Sequence, residues 1–330
     1  MPELIHVAAV VLRDAEGRVL TVRKRGTERF MFPGGKPEQG EDIRDTALRE
    51  TYEELGVALD PLRLEYLGTW TADAANEEGR RVRATVFGHP PVAVGAPRAE
   101  IEAVRWIRPS DRAGDLAPLL REAVLPALVQ PTRHLQRVTV FTGSATGNSS
   151  VFAEAATAFG TALGIAGTGI VYGGGHVGLM GAVADAALAA GAEVIGVMPQ
   201  ALVDREIAHR SLSRLETVPD MHARKLRMAI LADAFVALPG GAGTLEELFE
   251  AWTWQQLGTH GKPVALLDVD GYWQPLLQLV DSMVDRGFLS GTFRDALVVA
   301  AEPEDLLAQL TRWQPPAAKW AQTLTTTSGT

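Results

Sequence analysis

Pro239-Gly-Gly-Ala-Gly-Thr-Leu-Glu-Glu247 is the stretch that decides the fold of the second half of this chain. It follows the apolar run 234–238 and precedes a helical pattern that ends near Leu257. Strand, glycine turn and helix in this order are typical of a phosphate site, because glycine lets the backbone approach an anion and the first amides of a helix lack intrahelical partners. Glu247 adds a carboxylate just inside that helix. The stretch therefore predicts chemistry on a sugar phosphate.

Outward from this stretch, short β-rich runs alternate with longer helical patterns from Arg137 onward. Strands are predicted near 137–142, 168–172, 193–198, 214–218, 234–238 and 263–268. Helices are predicted near 149–163, 178–190, 221–232, 244–257 and 273–286. Such alternation predicts a Rossmann-like, doubly wound parallel sheet that is covered by helices on both faces.

The first 130 residues follow another pattern, and 330 residues exceed what one compact core usually serves. Strand candidates and two helical patterns predict an α/β/α domain on a mixed sheet; they lie at 4–13, 18–24, 63–74, 81–89 and 102–107, and at 41–55 and 117–129. The Asp14-Ala-Glu-Gly17 segment has the composition of a hairpin turn. We expect domains at 1–130 and 137–314, a linker at 131–136 and a flexible tail at 315–330.

Composition excludes several classes of function. The formal net charge is −9 and no long basic stripe is present, which argues against nucleic acid as a partner. The chain has no cysteine, so a thiolate nucleophile is excluded, and a divalent metal would be held by oxygen. No run approaches membrane-spanning length, and the first apolar run resembles a strand more than a signal peptide. We expect a cytoplasmic protein that acts on small molecules.

A helix rich in carboxylates is the strongest feature of the first domain. Glu50, Glu53 and Glu54 have i, i+3, i+4 spacing, which places them along one edge of the helix. Like charges so close repel one another unless a cation lies among them. Carboxylate oxygens suit Mg²⁺ or Mn²⁺, which bind and polarise phosphate oxygens. Gly34-Gly35 lets the preceding loop fold back toward such a metal.

The wider pattern resembles the Nudix box. It runs from Gly35 through Glu41 to Arg49-Glu50 and then to Glu53-Glu54-Leu55-Gly56-Val57. Residues 1–130 also resemble a Nudix hydrolase domain in strand and helix order. One departure is Thr51, which occupies a position where the family prefers an aliphatic residue.

The Nudix resemblance implies hydrolysis of a nucleoside diphosphate linked to another moiety, X, with release of a nucleoside monophosphate. It implies a metal held by Glu50, Glu53 and Glu54 with the Gly35 carbonyl, and an Arg49 that orients the carboxylates. Glu53 is the candidate catalytic base, and Glu100 or Glu102 is a candidate assistant.

Three glycine-containing loops follow strands of the second domain, at 142–147, 173–181 and 239–244. The carboxyl ends of parallel strands form the ligand crevice of such a sheet, so these loops are expected to converge there. Met221-His-Ala-Arg-Lys225 opens another helix at the same edge and supplies positive charge. Residues 173–178 alone also match the dinucleotide fingerprint, which leaves a dinucleotide-binding oxidoreductase as an alternative.

Together these motifs resemble the Lonely Guy (LOG) family of phosphoribohydrolases. The matching segments are 173–181, 221–225 and 239–247, with Thr253-Trp-Gln-Gln-Leu-Gly258 and Lys262-Pro263 also fitting. The resemblance implies hydrolysis of the N-glycosidic bond of a nucleoside 5'-monophosphate, of the AMP or cytokinin riboside monophosphate type. The products are free base and ribose 5-phosphate, no cofactor is needed, and the protein forms at least a homodimer.

The LOG resemblance also assigns roles to residues. Glu247 would stabilise the oxocarbenium-like sugar and hold or deprotonate the attacking water, and Arg224 would organise the nucleotide and the carboxylate. The residues expected to hold the nucleotide and its phosphate are Ser144, Gly174, Gly175, Gly241, Gly243 and Thr244. Glu246 is expected to be solvated, and at least one of Trp252 and Trp254 to lie in the core.

The two expected activities share an intermediate, because the first would release the monophosphate that the second consumes. The chain is therefore read as a bifunctional nucleotide hydrolase. An alternative is a first domain that senses nucleotides without cleaving them and regulates its neighbour. The sequence leaves open which base and which X are used.

Overall fold

The computed structural model describes residues 4–74, 80–95, 97–98, 100–129, 133–203 and 208–319. The chain divides into two compact units, Met1–His134 and Leu135–Thr330. Part of the predicted linker, 131–132, and most of the predicted tail, 320–330, lie outside the described residues. Within the described part of the tail, Lys319 N donates a hydrogen bond to Gln256 O at 2.9 Å.

The N-terminal unit contains a mixed sheet in the order β3-β1-β5-β4 and a separate antiparallel pair, β2-β6. The strands are β1 (Leu4–Leu12), β2 (Val19–Lys24), β3 (Gly34–Gly35), β4 (Glu65–Asp73), β5 (Arg81–His89) and β6 (Ile101–Ile107). Helix α1 (Ile43–Leu55) follows β3, and a 3₁₀ turn covers Pro61–Arg63. A π-helical segment at Leu119–Val124 continues into α2 (Leu125–Ala127).

Strand β1 is covered on both faces because its side chains alternate between two hydrophobic clusters. Ala9 and Val11 pack with Leu120, Val124 and Leu125 of the last helical segment. On the other face, Ala8, Val10 and Leu12 pack with Ala47 and Leu55 of α1. This is the period-two pattern of a buried strand, and it confirms the predicted α/β/α mixed-sheet architecture.

The predicted turn after β1 is present, since Asp14 N donates to Arg18 O at 3.0 Å and Arg13 bridges Val19. Beyond that bridge the two strands separate, because β1 pairs with β3 and β5 whereas β2 pairs with β6. The turn leads from one sheet into another.

The C-terminal unit is built on seven parallel strands in the order β10-β9-β8-β7-β11-β12-β13. They are β7 (Arg137–Phe141), β8 (Gly169–Tyr172), β9 (Val194–Pro199), β10 (Arg214–Val218), β11 (Ala234–Ala237), β12 (Val264–Leu267) and β13 (Val298–Ala300). The parallel sheet is confirmed. Only six of these strands are predicted from the sequence, because β13 spans three residues and is too short for a periodic signal.

Helices cover both faces of this sheet. They are α3 (Ser150–Ile165), α4 (Gly178–Ala189), α5 (Gln200–Val203), α6 (Met221–Leu231), α7 (Ala242–Gln256), α8 (Gln274–Asp285), α9 (Gly291–Asp295) and α10 (Pro303–Arg312), with a 3₁₀ turn at Val269–Gly271. Val138 and Val140 of β7 pack in one cluster with α3, α4 and α10. Thr139 points to the opposite face, where its hydroxyl donates to Met228 O of α6 at 3.0 Å.

The order of strands reverses between β7 and β11, since the chain moves outward from β7 on one side and outward from β11 on the other. Ligands of open α/β sheets bind outside the carboxyl ends of the strands at such a switch point. The loops 142–147 and 238–241 leave β7 and β11 at this point. In the described ranges, no helix has the length and apolar character needed to cross a bilayer.

Candidate active sites

Three glycine loops meet at the switch point of the C-terminal sheet. Gly143 N and Thr142 Oγ1 both donate to Pro239 O, each at 3.1 Å, which joins the loops after β7 and β11. The third loop reaches them through Gly178, where a Cβ would lie 2.3 Å from the carbonyl carbon of Ser144. Glycine is required at such a contact, and the three loops form one crevice.

The N-terminus of α7 opens into this crevice. Gly241 caps the helix without a side-chain hydrogen bond, and a Cβ at Gly241 or Gly243 would meet nothing within 4 Å. Thr244 is buried, with Oγ1 2.1 Å from the place of a Cβ on Gly240. The first amides of a 15-residue helix therefore face open space, which is the geometry of an anion site.

The other predicted phosphate ligands differ in exposure. Ser144 is exposed beside the crevice. Gly174 and Gly175 are buried: Gly174 O accepts a hydrogen bond from His209 N at 2.8 Å, and Gly175 forms a β-bridge with Ala208. Both glycines thus take part in packing of the loop backbone.

Arg224 and Glu247 face each other at the same crevice. Arg224 Nη2 lies 3.6 Å from Glu247 Oε1, and each side chain is 12% exposed. Asp220 fixes the start of α6, because its Oδ1 accepts from Ala223 N at 2.8 Å. Arg224 Nε is buried and has no hydrogen-bond partner among the described residues. The guanidinium therefore keeps donors for a ligand.

Burial raises the pKa of Glu247 above its ordinary value, and the positive charges of Arg224 and Lys225 offset only part of this rise. The nearby carboxylates of Glu246 and Glu250 add to it. A mostly buried carboxylate beside an arginine and the open amides of a helix N-terminus can stabilise positive charge that develops on a sugar.

The prediction that Glu246 is simply solvated is wrong. Its carboxylate is 55% exposed but forms an ion pair with Lys225, whose side chain is only 9% exposed. Lys225 Nζ also lies 3.1 Å from Glu250 Oε2. The expectation failed because a helical pattern does not show that α6 packs beside α7. Trp252 is buried, and Trp254 is partly buried.

Sequence reasoning missed Tyr272, whose hydroxyl donates to Gly240 O at 2.5 Å. It lies in the turn after β12, and its ring meets Phe152 edge-on at 5.8 Å between centroids. Nothing in the local sequence marks this residue, because its contact depends on the neighbouring strand.

In the N-terminal unit, Arg49 organises the carboxylates around it. Its guanidinium donates to Glu41 Oε1 at 2.9 Å and Oε2 at 3.0 Å, to Glu50 Oε1 at 2.8 Å and to Glu53 Oε2 at 3.3 Å. A further bond reaches Lys36 O at 3.2 Å. The hydrogen bonds from Arg49 lower the pKa of Glu41 to about 2.

Glu54 lies apart from this network. It is buried, its Oε2 accepts from Gly34 N at 2.9 Å, and its Oε1 lies 3.0 Å from Lys24 Nζ. Burial raises the pKa of Glu54, although the ion pair with Lys24 opposes the rise. Lys24 also pairs with Glu100, and it is a site residue that sequence reasoning missed because it lies on β2.

Lys24 and Arg49 thus provide the positive charge that the carboxylate helix needs. No group of three or more His, Cys, Asp or Glu side chains within the described ranges is arranged to hold a metal ion. Glu50 and Glu54 nevertheless border the same Gly34–Gly35 backbone, since a Cβ on Gly35 would lie 2.4 Å from Glu50 Cδ. These hard oxygen donors suit Mg²⁺. Glu53 is 52% exposed, on the Arg49 side.

Two further details concern the N-terminal site. Thr51 is fully buried, and its hydroxyl donates to Ala47 O at 2.7 Å, which satisfies the polar group at a position typical of aliphatic residues. A cavity of about 430 Å³ extends from Glu50, Lys24 and Glu100 to apolar walls that include Val7 and Leu120. Its volume is in the range of small-molecule sites, about 300–1,000 Å³.

Comparison with known families agrees with both units. The family model described as NUDIX domain matches residues 4–126, and the model described as possible lysine decarboxylase matches residues 180–310. Curated relatives of the second unit are named for another activity. The probable cytokinin riboside 5'-monophosphate phosphoribohydrolase LOGL2 of Oryza sativa subsp. japonica is 46% identical over 193 residues, 58% of this chain and 79% of the relative.

The cytokinin riboside 5'-monophosphate phosphoribohydrolase LOG7 of Arabidopsis thaliana is 48% identical over 180 residues, 54% of this chain and 83% of the relative. Among solved structures, a MutT NUDIX hydrolase from Burkholderia pseudomallei matches 39% of this chain and 98% of its own, at 27% identity and a TM-score of 0.31. Both predicted resemblances are confirmed. The chain is a hydrolase that belongs to the LOG family of phosphoribohydrolases and has a Nudix domain ahead of its LOG domain.

Proposed function

We propose that the LOG domain hydrolyses the N-glycosidic bond of nucleoside 5'-monophosphates and releases free base and ribose 5-phosphate. The observation that supports this most directly is the placement of Glu247, buried to 12% exposure, beside Arg224 and one helical turn from the open amides at the start of α7. An anion anchor, a cation and a carboxylate at this spacing fit a sugar phosphate.

In this mechanism the 5'-phosphate binds the amides near Gly241, Gly243 and Thr244, with Ser144 at the rim. Anchoring of the phosphate presents C1' to Glu247. As the C1'–N bond breaks, positive charge develops on the sugar, and the Glu247 carboxylate stabilises that charge. Water adds to C1', and the oxygen of the water becomes the new C1' hydroxyl. One proton of the water passes to Glu247 and then to the departing base. No cofactor takes part.

The base is proposed to be adenine or a cytokinin-type modified adenine. The support for this choice is the names of the curated relatives, which are cytokinin riboside 5'-monophosphate phosphoribohydrolases. We also propose that the protein assembles as at least a homodimer.

For the Nudix domain we propose hydrolysis of a nucleoside diphosphate linked to X, with Mg²⁺ or Mn²⁺. Glu50, Glu53, Glu54 and the Gly35 carbonyl would hold the metal, which when bound polarises phosphate oxygens. Arg49 orients Glu50 and Glu53, as its hydrogen bonds at 2.8 and 3.3 Å indicate. Water adds to one phosphorus, the bridging P–O bond breaks, and the products are a nucleoside monophosphate and phosphorylated X.

Coupling of the two reactions is proposed from their chemistry. The first would release a nucleoside monophosphate and the second would consume one, so that a single chain turns a nucleoside diphosphate derivative into free base and ribose 5-phosphate.

The test incubates the purified full chain with Mg²⁺ and a panel of nucleotides, and follows base release by chromatography. Glu247→Ala is expected to abolish base release from AMP and to spare cleavage of diphosphates, whereas Glu53→Gln is expected to do the reverse. Intact nucleoside monophosphates would refute the LOG proposal. Calorimetric binding of diphosphates without turnover would refute the Nudix hydrolysis and indicate a sensor.

A further inference from the structure

Lys225 connects α6 to α7 directly beside the two residues that face the nucleotide crevice. Its side chain is 9% exposed, and its ammonium contacts Glu246 and, at 3.1 Å, Glu250 Oε2. Glu246 and Glu250 have i, i+4 spacing on α7 and so lie on one edge of the helix, with Glu247 between them in sequence. Arg224 precedes Lys225 on α6.

The neighbouring pair is much looser. Arg224 Nη2 lies 3.6 Å from Glu247 Oε1, which is longer than a hydrogen bond, and Arg224 Nε has no partner among the described residues. A guanidinium that closed onto Glu247 would lose the donors that a substrate needs. The tight ionic contacts of Lys225 can hold the two helices together without using either active-site group.

We propose that Lys225 is a positioning residue, and that its ion pairs with Glu246 and Glu250 set the separation between Arg224 and Glu247. The inference rests on the proposed phosphoribohydrolase function for its kinetic consequence. Displacement of a reacting group by about 1 Å can cost about 100-fold in rate. We call Lys225, Glu246 and Glu250 the clamp. Loss of the clamp is therefore expected to lower the rate, although the proposed mechanism assigns none of these three side chains a contact with the nucleotide.

The alternative role of Lys225 is direct contact with the substrate phosphate. Substitutions on α7 separate the two roles, because Glu246→Gln with Glu250→Gln removes the clamp and leaves the ammonium in place. If Lys225 binds the phosphate, that double substitution removes the carboxylates that compete for its ammonium. If Lys225 is a positioning residue, the same substitution removes its ion-pair partners.

The experiment measures kcat and KM for AMP on four forms of the full chain: wild type, Lys225→Arg, Lys225→Met and the double variant Glu246→Gln/Glu250→Gln. We expect kcat to fall about 10- to 100-fold in Lys225→Met and in the double variant, with KM changed less than about threefold. Lys225→Arg is expected to keep most of the wild-type kcat, because arginine can form the same ion pairs. Asp281→Asn, which breaks the exposed ion pair with Arg294, is the matched control.

A second readout does not depend on activity. The Nε–H resonance of Arg224 can be assigned in nitrogen-15 NMR spectra by its loss in Arg224→Lys. This resonance is expected to shift in the double variant and to keep its wild-type position in Lys225→Arg. An unmoved resonance together with wild-type kcat would overturn the positioning role, as would a double variant with lower KM. A moved resonance in a protein that never releases base would support the clamp and refute only the proposed function.

Discussion

The guanidinium of Arg224 lies directly against the backbone of Gly173: a Cβ at Gly173 would come within 1.9 Å of Nη2. Gly173 is the first residue after β8, so the glycine loop of one strand holds open the space for an arginine of α6. This contact brings the loop against the Met221-His-Ala-Arg-Lys225 segment.

Gly173→Ala is expected to displace the guanidinium of Arg224 and to lower kcat/KM for AMP by about tenfold or more. The added methyl group would lie closer than any real contact allows, and the flexible arginine is the group that moves. Steady-state kinetics measures this loss. Gly291→Ala is the control, since a Cβ there meets nothing within 4 Å; equal activities of the two variants would contradict the prediction.

Gly240 and Gly241 are neighbours with opposite surroundings. A Cβ on Gly240 would lie 2.1 Å from Thr244 Oγ1 and 2.8 Å from Gly143 N, whereas one on Gly241 meets nothing within 4 Å. Gly240→Ala is therefore expected to lower Tm by several degrees. Gly241→Ala is expected to keep the wild-type Tm and to weaken ribose 5-phosphate binding about tenfold in calorimetry, because its methyl group would enter the space proposed for the phosphate. Unchanged affinity in Gly241→Ala would place the phosphate elsewhere.

Glu247 is expected to reduce stability at neutral pH. Burial raises the pKa of Glu247 in the folded protein above its ordinary value of 4.5. Because its pKa is higher in the folded protein, Glu247 favours the folded state when the pH is below its pKa in the unfolded chain. That contribution is lost as the pH rises through the pKa of Glu247 in the folded protein. Glu247→Gln should therefore raise Tm by a few degrees at pH 7 to 8, and the gain should vanish near pH 4. Calorimetric scans across this range check it, and a lower Tm at pH 7 would contradict it.

Arg49 is expected to stabilise the N-terminal unit over a defined pH range. It holds the pKa of Glu41 at about 2, below the ordinary 4.5. Because its pKa is lower in the folded protein, Glu41 favours the folded state when the pH is above its pKa in the unfolded chain. This contribution is lost as the pH falls from about 4.5 toward 2. Arg49→Gln should lower Tm by several degrees at pH 7 and by progressively less in acid. Arg121→Gln, which breaks the pair with Glu122, is the control and should show no such trend.

The carboxylate helix shows how much of a site the spacing of residues within one helix can predict. Because Glu50, Glu53 and Glu54 belong to one helix, their shared edge could be predicted from the i, i+3, i+4 pattern. Their cations could be predicted only in part. Arg49 is a helix neighbour, but Lys24 reaches Glu54 from β2, thirty residues earlier, and strand pairing alone brings it there.

The LOG site shows the same division. The three glycine loops and the Arg224 and Glu247 positions follow from motifs that come after strands β7, β8, β10 and β11. The burial of Gly174 and Gly175 does not, since it depends on contacts with residues 208 and 209 after the next strand. Tyr272 likewise reaches Gly240 from the turn after the adjacent strand β12.

By itself, the sequence determined two compact units, an α/β fold in each, the helix that presents carboxylates and the strand-turn-helix whose first amides are open. These features are local, because glycine conformation, helix periodicity and strand alternation act within a few residues. The tertiary structure alone decided how closely charges on different elements approach one another. The 3.6 Å approach of Arg224 to Glu247, the pairing of Lys225 with α7 and that of Lys24 with Glu54 each join elements whose separation is set by packing. No spacing along the chain records those distances.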